Sequence, residues 1–549
     1  MRGGVLKMCP KWPAPVVFSI FAVCAVLAAS RPLDAAVQSC ESLASLSLSE
    51  TTITSAQTVA AGAFASPSGG PPTLPPMRAP GPTSTLAARF GLGYEGGQGR
   101  PAYSRLPAFC RVTATFKPTP VSEIRIEVWL PAASAEGFGG WNGKFRGTGL
   151  NGLGGGFPYP TLATAIRDGY ATASSNGGHT LDDSTWAYQP EKVRDFGLRS
   201  AHGMTVIGKA VTRAYYGRAP TYSYMAECGG ASIATLGEVQ RFPDDYNGAV
   251  VGGFAAYITH HALGQMWIWQ ATHKDEASHI PPEKFPVLHQ AALDACDARD
   301  GVRDGVVGDP EHCAFDPGVI QCKGADGPAC LTAPQVDAAR KIYAGPVNPR
   351  TGKRVYSPLY PGSELDWGTL AGPTPIGIAT TFLRDFAFRD PNWDYRTRPV
   401  NFDSDVALAD RPENLILNSI EPDISKFAQH GGKLILAGGW NNAIVPPGAI
   451  VDYYKDVVAT IGAASAKRAV RLYMVPGISE CNSGQGTDTF DMFRTMEQWV
   501  ERGRAPQRIR ASRAEDGKVV RTRPLCPYPQ LATYTGTGST DDAANFVCK

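Results

Sequence analysis

Residues 222–240 read YSYMAECGGASIATLGEVQ. Residues 222–226 read as a strand, the glycines that follow permit a sharp turn, and the apolar spacing of 233–240 predicts a helix. Working outward, residues 124–130 (IRIEVWL) alternate with period two, 170–174 form a short strand, and 202–216 have helical spacing closed by Gly217. Residues 433–437 (KLILA) and 470–475 (VRLYMV) are again short strands. Ahead of these two, residues 255–425 break the rhythm with long Pro-rich loops. The pattern predicts an α/β core, residues 37–254 and 426–549, interrupted by a large insertion over 255–425. Residues 64–82 (FASPSGGPPTLPPMRAPGP) are too rich in Pro and Gly for an element interior and read as a surface loop.

Charge and cysteine usage bound the function. The 549-residue chain has 52 Lys+Arg against 50 Asp+Glu, so neither sign builds the long-range field expected of a nucleic-acid binder. At the N-terminus Arg2, Lys7 and Lys11 precede an apolar run over 16–29, shorter than the roughly 20 residues of a bilayer span. Small residues follow at Ala28, Ala29, Ser30, Ala35 and Ala36. Residues 1–36 therefore read as a signal peptide cleaved at about 30–36, with an uncleaved anchor as the alternative. The mature chain is expected to be secreted or periplasmic and free of the membrane. Of the twelve cysteines, none forms a CxxC pair, and cleavage would remove Cys9 and Cys24. The remaining ten read as five disulfides in an oxidising compartment. Local spacing suggests Cys296–Cys313, Cys322–Cys330 and Cys526–Cys548, which leaves Cys40–Cys110 and Cys228–Cys481.

Strand, sharp Gly-rich turn and helix is where an α/β-hydrolase fold places its nucleophile, with the acid and the histidine following in chain order. Several stretches carry a more specific likeness: WNGKF (141–145), GYATASSNGGH (169–179), YYGRAPTYSYMAEC (215–228), EVQRFPDDYNG (238–248), CDARDGVRDGVVGDP (296–310), GGWNNAIVPPG (438–448), FRTMEQWVERGRAP (493–506) and RTRPLCPYP (521–529). Together they resemble the tannase/feruloyl esterase family, which includes the hydrolase of mono(2-hydroxyethyl) terephthalate. The resemblance covers nearly the whole mature chain and implies a secreted α/β-hydrolase fold with a calcium-binding lid.

It also locates the family's triad, and all three positions are replaced. Gly229 stands at the nucleophile position, Asn442 at the acid and Glu480 at the base. An argument free of any family agrees, because the last of the nine histidines is His430, ahead of the Asn442 segment. Without an imidazole to take its proton, a serine hydroxyl is a weak nucleophile at neutral pH. Ser232 fits a loose Gly-x-Ser-x-Ala pattern one turn too late and reads as a structural residue of the helix start. A thiol nucleophile at Cys228 is disfavoured, since the resemblance joins Cys228 to Cys481.

Glu227 and Glu480 each precede a cysteine of that bond. If both face the pocket, repulsion and desolvation would leave a general acid beside a general base. The alternative is that Glu227 points away and makes a structural hydrogen bond. By resemblance, the N–H groups of Gly149 and Gly230 supply an oxyanion hole. In the lid, Asp297, Asp300 and Asp304 lie in a short Gly-containing loop that offers the oxygen ligands Ca²⁺ takes, although the spacing is not that of an EF-hand. The resemblance adds the carbonyls of Val302 and Val306 as ligands. Trp267, Trp269, Trp367, Phe382, Phe386, Phe388, Trp393 and Tyr395 are candidates to roof a pocket for an aromatic small molecule, or else to pack a core. Three activities remain open: an enzyme using Glu480, perhaps with Glu227, for isomerisation, cyclisation or elimination on an aromatic or polyketide-like molecule; a non-catalytic binding protein; and ester hydrolysis by an unconventional route.

Overall fold

The computed structural model describes residues 38–67, 101–132, 140–150, 153–180, 182–481 and 483–549; the expected signal peptide lies outside them. Nine strands form one sheet: β1 (Thr51–Val59), β2 (Phe109–Phe116), β3 (Ile124–Pro131), β4 (Lys144–Gly147), β5 (Ala171–Ser175), β6 (Tyr222–Cys228), β7 (Gly248–Gly252), β8 (Lys433–Gly439) and β9 (Val470–Val475). Their order is β1-β2-β3-β5-β4-β6-β7-β8-β9. The first four in that order pair antiparallel and the rest pair parallel. This is the α/β-hydrolase arrangement.

Every residue of β5, β7 and β9 is buried, as parallel strands covered on both faces require. On one face, Met204, Ile207 and Val211 of the Ser200–Tyr216 helix pack on Phe145, Ala173 and Met225. That helix closes at Gly217, whose φ of 70° is the left-handed C-terminal shape glycine favours. On the other face, Phe493, Met496 and Trp499 of the Met492–Arg502 helix pack on Tyr224, Val250, Ile435 and Tyr473.

Between Gly252 and Lys433 the chain contributes no strand to the sheet and builds helices, including Ile258–Thr272, Phe285–Cys296 and Ala333–Ala344. This segment has its own apolar interior. Trp367 and Phe382 are completely buried there, and Phe386 and Trp393 nearly so. Trp267 and Trp269 are partly buried and donate their indole N–H groups to the carbonyls of Lys341 and Gly372. Most of the rings considered as a ligand roof are therefore lid core. Phe64 also departs from the surface-loop reading: it is buried against Phe109, Trp129 and Tyr159, which gives the start of that Pro-rich stretch an apolar anchor.

The five disulfides are Cys40–Cys110, Cys228–Cys481, Cys296–Cys313, Cys322–Cys330 and Cys526–Cys548. Among the described residues no helix is long and apolar enough to cross a membrane.

Candidate active site

β6 delivers the chain to the turn at its C-terminal end. Gly229 follows Cys228 with φ 66°, and a short 3₁₀ turn, Gly229–Ala231, leads into the Ser232–Arg241 helix. Glycine takes this left-handed shape without the strain a side chain would bring. A Cβ built on Gly229 would lie 2.7 Å from Glu480 Oε1 and 3.8 Å from Cys481 Sγ. The Glu480 carboxylate thus stands in the space that a side chain at 229 would enter. The Cys228–Cys481 bond, with Cα atoms 5.9 Å apart, ties the β6 turn to the loop after β9 and fixes that placement.

Glu480 is half-buried, and burial raises its carboxyl above the usual range. Repulsion from Asp366 acts in the same direction. Asp366 belongs to the lid turn Glu364–Thr369, and burial pushes it up to about 6, against the pull of the Ser479 hydroxyl and of His289. Its Oδ2 is buried without a hydrogen-bond partner. His289, from the Phe285–Cys296 helix, is held at both nitrogens: Nδ1 lies 2.8 Å from Glu364 Oε2 and Nε2 3.3 Å from Gln485 Oε1. Neither Asp366 nor His289 stood out in the sequence. His289 lies on an apolar helix and Asp366 in an irregular loop, and neither has a motif that ties it to residues more than a hundred positions later.

Glu227 is buried, and its Oε1 accepts the Gly149 N–H at 2.8 Å. Burial raises its carboxyl to about 7, opposed by that N–H and by Arg146 on β4. One expectation is corrected here, and for Glu227 the alternative of a structural hydrogen bond is the one that holds. Gly149 is not a free oxyanion donor, because the Glu227 carboxylate already takes its N–H. The carboxylate that raises Glu480 is Asp366 rather than Glu227, because Glu227 is turned toward β4 and Gly149. At the acid position, Asn442 is buried and its Oδ1 accepts the Val445 N–H at 2.9 Å, closing its own loop. Ser232 is fully buried, with its hydroxyl 3.3 Å from the Ala255 N–H and 3.4 Å from the Gly253 carbonyl, which is a structural role.

The sequence signature of tannase and feruloyl esterase matches residues 110–549. An uncharacterized esterase of Xanthomonas campestris is 36% identical over 95% of this chain and 93% of its own length. The chain belongs to the tannase and feruloyl esterase family. Within that family, the mono(2-hydroxyethyl) terephthalate hydrolase of Piscinibacter sakaiensis is 31% identical over 81% of this chain and 85% of its own. The crystal structure of feruloyl esterase B from Aspergillus oryzae superposes with a TM-score of 0.79 at 26% identity, covering 93% of this chain and 99% of that one. The site combines a bare turn at Gly229, the Glu480 carboxylate in the space above it and the Glu227 carboxylate on the Gly149 N–H.

The acidic loop of the lid is a separate assembly. Asp297 accepts the N–H groups of Asp304 at 3.1 Å and Gly305 at 2.9 Å, and Asp300 accepts that of Val302 at 3.0 Å. A Cβ on Gly308 would lie 2.4 Å from Asp300 Oδ2, so only glycine lets the carboxylate fold under the chain. Burial pushes Asp300 up to about 6, and repulsion from Asp304 and Asp297 adds to it. Asp304 lies 2.6 Å from an Arg523 nitrogen and also faces Arg521, so the C-terminal hairpin Ile509–Leu525 shares its charge. Val302 and Val306 are buried in the same loop, and Cys296–Cys313 closes it. Oxygen donors at this spacing are of the kind a hard cation takes, but here the three carboxylates are not drawn to one point: Asp297 and Asp300 face backbone N–H groups and Asp304 faces Arg523.

Proposed function

We propose that this protein is an exported family member in which acyl transfer from a serine has given way to acid/base chemistry at Glu480, acting on an aromatic or polyketide-like small molecule. The observation that carries this reading is the Glu480 carboxylate in the space of the missing nucleophile, 2.7 Å from the position of a residue-229 Cβ. A carboxylate there meets whatever atom of a bound substrate approaches the turn. Its raised pKa makes it a stronger base than an exposed glutamate, and Asp366 beside it is able to return or accept the proton. Isomerisation, cyclisation and elimination need this pair and need no covalent intermediate. Glu227 has the supporting role of filling the oxyanion donor at Gly149, which selects against tetrahedral acyl intermediates.

Calcium belongs to the same proposal. Asp297, Asp300 and Asp304 through carboxylates, and Val302 and Val306 through carbonyls, would hold the ion, and its charge would relieve the repulsion among the three acids. Its role is to stiffen the lid. The five disulfides support export to an oxidising compartment.

The test is a ligand screen with flat aromatic and polyketide-like compounds, followed by turnover of the hits. Glu480→Gln is expected to abolish turnover while preserving binding, and Asp366→Asn to lower it and shift its pH profile. A ligand bound with no turnover by the unmodified protein would replace this reading with that of a binding protein. Full turnover by Glu480→Gln would remove Glu480 from the chemistry.

A further inference from the structure

We propose that His202, Glu238 and Asp245 form a binding site for a divalent transition-metal ion, of the zinc or manganese type. They come from three elements: the Ser200–Tyr216 helix, the Ser232–Arg241 helix and the turn before β7. One donor atom of each lies within 4.8 Å of the donor atoms of the other two. The imidazole is fixed in orientation by stacking on Phe242, with centroids 3.8 Å apart and planes 7° from parallel. Its Nδ1 lies 2.6 Å from Asp245 Oδ2.

Glu238 makes the cluster more than a histidine–aspartate pair. It is 1% exposed, no N–H group donates to its Oε2, and its carboxyl shares a hydrogen bond with Asp245. A buried carboxyl held against a second carboxylate is costly unless a proton or a cation lies between them. The nearby cations do not pair with it. Lys209 donates to the Asp245 carbonyl and stands 4.0 Å from the Asp245 carboxylate, while Arg241 donates to the carbonyls of Gly197 and Asn418.

One imidazole nitrogen and two carboxylates are a donor set suited to zinc or manganese, whereas an all-oxygen set would favour calcium. The ion would replace the proton held between His202 and Asp245. Access exists from two sides. The His202 side chain is 37% exposed, and Glu238 lines a cavity that also reaches Phe242, Gly149 and Gly230.

The test uses the full mature chain, stripped of transition metals and kept in saturating calcium, titrated with Zn²⁺ in a calorimeter. One ion per chain is expected, with affinity lowered at least about tenfold in Glu238→Gln and in His202→Gln. Glu238→Gln is nearly isosteric, and thermal melts of both variants check that they fold. Anomalous diffraction at the zinc edge from the unmodified protein is expected to place the ion between the three side chains. Absence of saturable binding, unchanged affinity in Glu238→Gln, or an anomalous peak elsewhere would overturn the proposal.

Discussion

The acidic loop of the lid and the floor of the candidate active site are both built from carboxylates and glycines, yet they are assembled in opposite ways. In the lid, Asp297, Asp300 and Asp304 lie within eight consecutive residues; Asp297 and Asp300 accept backbone N–H groups of the same loop, and Asp304 pairs with Arg523. On the floor, Gly149, Glu227 with Gly229, Asp366 and Glu480 come from four separate segments, and the Cys228–Cys481 bond spans 253 residues to bring two of those segments together. The lid loop is held by its own backbone N–H groups and by the Arg523 side chain. The floor depends on a covalent tie and on burial.

That contrast can be broken most directly at the tie. Replacing Cys228 and Cys481 together by Ala should lower stability by about 2–5 kcal/mol in a denaturant titration, whereas a loss under about 1 kcal/mol would mean that packing alone holds the floor. The next effect is one of pH. Glu227 has a folded pKa raised to about 7, so the folded state binds its proton more tightly than the unfolded chain does. Stability should be greatest below the unfolded value near 4.5, fall as pH rises to about 7 and level off above it, by on the order of 3 kcal/mol. Glu227→Gln should flatten that slope and make the protein more stable at pH 8, and an unchanged slope would show that Glu227 is not the buried charge responsible. In the lid, removing calcium with a chelator should lower stability by about 2–3 kcal/mol if the ion is present at roughly a hundred times its dissociation constant. Asp300→Asn should reduce that response, and a melting temperature indifferent to chelation would reduce the two regions to one type. The smallest effect is expected at the turn itself: Gly229→Ala should cost about 1–2 kcal/mol, from the positive φ and from crowding against Glu480.

The same contrast explains what the sequence made legible. The strand, turn and helix of 222–240 are local, so β6, the Gly229 turn and the Ser232–Arg241 helix could be read from periodicity and glycine placement, as could β3, β5, β8 and β9, whereas β1, β2, β4 and β7 were not read. The disulfides were legible because spacing paired six cysteines and left four. The acidic loop was legible as a compact set of oxygen donors. Asp366, His289 and the Glu227–Gly149 hydrogen bond were not, because each depends on side-chain direction and on contacts between segments that no local pattern encodes. For Glu227 the sequence left open a pocket-facing acid or a structural hydrogen bond, and strand alternation does not say which neighbouring backbone N–H it meets. The aromatic residues of the lid misled for a related reason: rings that form a core and rings that line a pocket have the same composition.

The central claim is that this site works without a serine acyl-enzyme. Intact-mass measurement of the purified chain after incubation with a fluorophosphonate, alongside release of p-nitrophenol from simple esters, tests it most directly. The account predicts an unmodified mass and ester cleavage at the rate of buffer alone. A single stoichiometric adduct on a serine, with rapid p-nitrophenol release that the adduct abolishes, would contradict it.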